Sequence, residues 1–182
     1  MDDTAAAADA TVPPRRRWAG HAIWLLVLLG GLGGIVAGAP GLLKKVAGGR
    51  LHTPDPKLFT AQPPALQIHI VALAFAVVLG AALMASRKGR AFHRAAGWTW
   101  AGTVLAGSAA LVWLGVVDGR WGPLDLLLIY VLPLMVTGLW FARRHRESVH
   151  GACMMWLFYG SIVFPGALTL LPGRLLWRLF FG

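Results

Sequence analysis

LQIHIVALAFAVVLGAALMA, residues 66–85, runs for twenty positions without one Asp, Glu, Lys or Arg. About 20 apolar residues in an α-helix cross the hydrocarbon core of a bilayer. A helix at the surface of a soluble domain keeps a polar face, whereas this stretch has only Gln67 and His69 near its start and is apolar from Ile70 onward. It therefore predicts a transmembrane helix. Pro63-Pro64 stops regular structure just before it, and Arg87, Lys88, Arg90 and Arg94 form a short basic loop just after it. Working outward, similar runs predict spans over residues 18–38, 93–117, 124–141 and 150–171. Only helices and closed barrels satisfy the backbone in lipid, and these runs are too long for barrel strands. The predicted fold is an all-α integral membrane protein, a bundle of about five transmembrane helices.

The composition agrees. The chain has 182 residues, 57% hydrophobic and 13% charged, with a mean hydropathy of +0.65. Ordinary soluble domains are about 25% charged. Five spans leave little chain for a separate soluble module, so residues 18–182 read as a single transmembrane domain. Residues 1–17 read as a disordered tail, with MDDTAAAADATVPP followed by Arg15-Arg16-Arg17. A basic start, an apolar run and Ala37-Gly38-Ala39 resemble a secretory signal, but the run of about 21 residues exceeds the usual 7–15, which favours a retained helix. Gly30, Gly31, Gly33 and Gly34 within it allow close helix approach.

The net charge of +10 does not point to nucleic acid, because no recognition motif accompanies it. The basic residues sit between apolar runs, where they set topology and meet anionic headgroups. With the N-terminus inside, the inner face collects Arg15–Arg17, the four basic residues at 87–94 and Arg143, Arg144 and Arg146. The outer face collects the smaller set of Lys44, Lys45, Arg50 and Lys57 in the 39–65 loop, Arg120, and Arg174 and Arg178 in the tail, a modest bias that sharpens in the short connections, where only Arg120 lies outside. The positive-inside rule then predicts a multi-pass protein of the bacterial inner membrane, N-terminus cytoplasmic and C-terminus periplasmic. Trp18, Trp24, Trp98, Trp100, Trp121, Trp156 and Trp177 cluster near span ends, as an interfacial belt does. Leu42–Val46 reads as a short interfacial turn. Asp125 reads as a cap or favourable charge for the fourth span, and Pro133 and Pro165 as kinks within spans.

No ionisable Asp, Glu, Lys or Arg falls deep in a span, which argues against a carboxylate-driven pump. There is no phosphate-binding loop, dinucleotide fingerprint, nucleophile elbow or H-E-x-x-H. A single cysteine, Cys153, precludes an internal disulfide. The six histidines are the remaining chemical candidates. His21, His93, His145 and His150 are predicted at the inner face, His52 and His69 at the outer. RAFHRAAGWTW (90–100) and RESVHGACMMW (146–156) share a plan, each a histidine opening a helix after a basic loop, with tryptophan within two turns. Facing helices can present His93 and His150 to haem iron or copper, with His69 or His21 secondary. His150, Cys153 and Met154 fall on one helix face, a set that suits soft copper. The same residues also read as packing groups and as satisfied interfacial histidines.

FTAQPPALQIHIVALAFAVVLG (59–80), FHRAAGWTW (92–100) and ARRHRESVHGACMM (142–155) together resemble a bacterial membrane-protein family catalogued as domain-of-unknown-function family 2306. The matching positions are His69, His93-Arg94-x-x-Gly97, and His150 with Met154, within residues 55–172. The chain departs from the pattern at Trp98-Thr99-Trp100, where the family has an Arg before an aromatic, and around His150, where an Arg and a Trp are missing. The resemblance implies a multi-span helical membrane protein and three histidines, His69, His93 and His150, and no reaction.

Three functions are compatible with these features. The first is a non-enzymatic accessory or scaffold of a membrane complex, partnered by the bilayer, other membrane proteins or copies of itself. The second is a haem b- or copper-binding redox module using His93, His150 and His69, or His93, His150 and Met154. The third is a small oligomeric transporter, for which the spans offer only scattered polar groups such as Thr99, Thr103, Tyr130 and Ser161.

Overall fold

A computed structural model of the chain describes residues 14–39, 41–119, 121 and 127–181. Among them every regular element is helical. Residues 1–13 of the expected tail, Arg120 and the expected capping residue Asp125 lie outside the described residues. The chain divides into two compact units, with the boundary between Gly48 and Gly49.

The first unit holds α1 (Pro14–Gly38) and α2 (Leu42–Gly48). Pro14 opens α1, where a missing N–H costs nothing and a fixed φ favours the helix, so Arg15-Arg16-Arg17 form its first turn instead of ending a tail. The second unit holds α3 (Pro56–Thr60), α4 (Pro64–Ala85), α5 (Ala91–Asp118), α6 (Leu127–Arg143), α7 (Glu147–Thr169) and α8 (Leu175–Phe180).

Three helices are long and apolar enough to cross a membrane: α4 with 22 residues, α5 with 28 and α7 with 23. Shorter apolar helices, His21–Ile35 within α1 and Leu127–Arg143, occupy the places of the other two expected spans. At 1.5 Å per residue α5 is about 42 Å long, more than the hydrocarbon thickness, so a tilt or a projecting turn accommodates it.

α4 and α5 share the most extensive interface. They are antiparallel: Trp100 Nε1 donates to the Ala76 carbonyl at 2.9 Å, and His69 Nδ1 to that of Gly107 at 2.8 Å. Residue numbers across the pair sum to a constant, as an antiparallel register requires. α6 and α7 repeat the arrangement, with His150 opposite Gly138 at 2.9 Å and the Ser161 hydroxyl bonded to Tyr130 at 3.0 Å. The hairpins join through a core of Ala76, Trp100, Val104, Met135, Leu157, Phe158 and Ile162. Close approach depends on Gly80: a Cβ there would stand 2.5 Å from ring atoms of Phe158 and 2.8 Å from Trp100 Nε1.

α7 changes pitch. Over Trp156–Val163 its hydrogen bonds lengthen to the wide-turn π pattern before α-geometry resumes at Phe164–Thr169. The Phe164 N–H reaches the Tyr159 carbonyl five residues back. The cause lies one residue on. Pro165 has no N–H, and its ring would crowd the carbonyl four residues earlier in a regular helix. The wider turn shifts that register.

The turns within both hairpins need left-handed backbone. Gly89 supplies it between α4 and α5 with φ 77°. Between α6 and α7 the residue is His145, with φ 54°. Its N–H bonds to Ala142 O at 3.2 Å, and that of Arg146 bonds to Phe141 O at 3.0 Å, which is the paired bonding of a Schellman cap. At the opposite end Asp55 caps α3, accepting from the Lys57 and Leu58 N–H groups at 2.9 and 3.4 Å. The N–H groups of His52 and Asp55 bond to Phe180 O and Leu179 O at 2.9 and 3.3 Å. This ties the segment before α3 to the end of α8 and satisfies carbonyls that a helix terminus leaves open.

Candidate functional site: a pair of oriented histidines

The α4–α5 and α6–α7 turns lie at the same end of the second unit. The Arg143 guanidinium sits 5.6 Å from the centre of the Trp98 ring, which brings the end of α6 beside the start of α5. His93, in the first turn of α5, and His150, in the first turn of α7, lie within reach of each other's charge, and Lys88 within reach of His93. The two helices thus begin at the same end of the unit, with the two histidines that the sequence pairs each in a first turn.

Each ring is held through Nδ1. A carbonyl only accepts, so His150 Nδ1 must carry the proton it shares with Gly138 O. His93 Nδ1 lies 3.2 Å from the Ser86 hydroxyl. That hydroxyl already donates to Leu83 O at 2.9 Å, which leaves it to accept from His93. In both neutral imidazoles the lone pair is therefore on Nε2. Metal-bound histidines are held this way, their second nitrogen donating to a carbonyl, carboxylate or water. Both residues are partly exposed.

The other candidates fall elsewhere. His69 is oriented the same way, but by Gly107, which lies fourteen residues beyond His93 on α5. That is about 21 Å along the axis, so His69 and the His93–His150 pair cannot ligate one ion. Cys153 is buried, and Met154 packs against the core. Both lie on Gly138, where a Cβ would be 3.0 Å from Cys153 Cβ and would collide with the Met154 methyl. The His150/Cys153/Met154 face is therefore the face by which α7 docks on α6. His145 is exposed in its turn, His52 is held by its neighbour's carbonyl at 2.7 Å, and His21 belongs to the first unit.

Among the described residues no three of His, Cys, Asp and Glu gather as a metal-binding set. Two imidazoles suit a centre whose other ligands come from elsewhere. Haem iron, whose macrocycle supplies four nitrogens, is one, and copper completed by water is another. An open groove of about 440 Å³, lined by Phe59, Gln67, Ile68, Val71, Phe75 and Thr103, lies beside the first half of α4, away from the pair.

Sequence reasoning names His93 and His150 as candidates and gives no sign of what orients their rings. Ser86 and Gly138 carry no motif, and they act only once the helices are packed. No protein-family model matches the chain, and neither a curated protein nor a solved structure is similar to it.

Proposed function

We propose that the chain is an accessory protein of the bacterial inner membrane, with five spans, a cytoplasmic N-terminus and a periplasmic C-terminus, whose His93–His150 pair holds haem iron or a copper ion at the inner face. The observation that supports it is the pairing of two imidazoles from different helices, each with Nδ1 committed as a donor and Nε2 presenting a lone pair. Ligand orientation of this kind raises imidazole basicity and fixes the ring before metal arrives. His69 takes no part in that centre. Its bond to Gly107 reads as helix-to-helix packing, as polar groups provide between spans.

The test is an absorption spectrum and metal analysis of the detergent-purified protein beside a His93→Ala/His150→Ala double variant of matched thermal stability. A Soret band or stoichiometric copper, lost in the variant, is the expected result. A colourless, metal-free protein from haem- and copper-replete cells would sink the metal reading. The accessory role would then stand alone, to be pursued through co-purifying membrane proteins.

A further inference from the structure

Around the histidine pair the two hairpin turns are crowded with positive charge. Arg87, Lys88, Arg90 and Arg94 belong to one turn and the helix start beside it, and Arg143, Arg144 and Arg146 to the other. All are exposed, and Glu147 is the one carboxylate among them. At the opposite end of the same unit, Arg50, Lys57, Arg174 and Arg178 are set against Asp55 and Asp118. The charge is thus strongly one-sided, and the Trp98–Arg143 contact makes the two turns one surface.

Two of the cations are fixed in height. Arg143 lies over Trp98, and Arg144 lies over Trp140 with 5.0 Å to the ring centre. Both indoles are half exposed, at 55% and 50%, with Phe92 and Val136 exposed beside them. Exposed indoles at span ends settle at headgroup depth. A guanidinium stacked on such a ring is held where lipid phosphates lie, directly above an apolar surface that acyl chains cover. Soluble polyanions would leave that apolar rim in water.

We propose that the α4–α5 and α6–α7 turns together bind anionic phospholipid, its phosphodiester held by the guanidinium groups of Arg143, Arg144 and Arg146 and by Arg87, Lys88 and Arg90 across the surface. Arg94 is partly spent on the Gly89 carbonyl at 2.7 Å and serves to brace the turn. Each cation near an anionic surface contributes about fivefold to affinity. The proposal rests on the membrane reading of the chain and is independent of any metal.

The experiment is native mass spectrometry of the full chain released from detergent containing equal phosphatidylglycerol and phosphatidylcholine. The wild type is expected to retain phosphatidylglycerol at least roughly tenfold over phosphatidylcholine. The Arg143→Gln/Arg144→Gln/Arg146→Gln variant should lose most of that preference, and an Arg174→Gln/Arg178→Gln control should keep it. Raising salt from about 0.01 M to about 1 M, which shortens the Debye length from about 30 Å to about 3 Å, should erase the preference in the wild type. Equal retention of both lipids by the wild type overturns the proposal, as does equal loss in the control. Displacement of phosphatidylglycerol by millimolar inorganic phosphate at constant ionic strength would assign the surface to a soluble anion, which also overturns it. Should the triple variant not fold, the salt and phosphate arms on the wild type decide.

Discussion

His145 is the one non-glycine residue with positive φ among the described residues, and it closes the cap on which the α6–α7 hairpin turns. Left-handed backbone costs a residue with a Cβ about 1–2 kcal/mol, part of which glycine regains and part of which it returns as chain entropy. His145→Gly is therefore expected to stabilise the protein by up to about 1 kcal/mol in a reversible unfolding titration. Gly89→Ala should destabilise it by a similar amount. Ser86→Ala removes the acceptor of His93 Nδ1 without touching Nε2. If the pair holds metal, affinity should fall about 10–100-fold with little change in folding, read by competitive metal titration. His93 and His150 could be paired from their places after basic loops in the sequence, because helix direction alternates across a membrane. The roles of Ser86, Gly138 and Gly107 could not be read there, since a backbone carbonyl carries no sequence signature and becomes a partner only through tertiary contact.

At the scale of the helix, the glycines divide by what faces them. At Gly80 a methyl group meets Phe158 and Trp100, whereas at Gly102 it meets nothing within 4 Å. Gly80→Ala is expected to cost about 1–3 kcal/mol through overpacking. Gly102→Ala should be neutral or stabilising by up to about 1 kcal/mol. A thermal melt of the two variants in the same detergent compares them, and equal effects would contradict the packing described. Element positions were legible because a charge-free run of about 20 residues fits the thickness of a bilayer and little else. The start of α1 at Pro14 was less so: the preceding Ala, Asp and Pro residues read as tail, while Pro14 itself favours a first helical turn. Pro165 reads as a kink in sequence. The chain answers instead by widening α7 over Trp156–Val163, so that the turn ahead of the proline is reached without a break.

For the molecule as a whole, the testable quantity is topology. Cys153 is buried and the only cysteine, so Cys153→Ala gives a clean background for labelling. On that background Lys88→Cys and Glu147→Cys should react with impermeant maleimide from one side of the membrane, and Thr53→Cys and Arg174→Cys from the other. Labelling of Lys88→Cys and Arg174→Cys from the same side would refute the proposed crossing by each of α5, α6 and α7. Three of the five spans read from sequence are helices long and apolar enough to cross, and the remaining two coincide with shorter apolar helices. Composition alone could reach the helical membrane class. It could not show that the segment from His52 to Asp55 pairs with α8, because those residues have no apolar pattern to announce it.

That last pairing has a consequence for biogenesis. The His52 N–H and the Phe180 carbonyl are 128 positions apart in the chain. At about 5–20 residues per second, synthesis needs roughly 6–26 s to travel from one to the other. For that interval the earlier stretch of backbone waits without its partner. The apolar hairpins can be inserted and packed meanwhile, but the clasp that joins the beginning of this unit to its end closes only afterwards. A protease or chaperone meets an open N–H pair first and the closed clasp several seconds later.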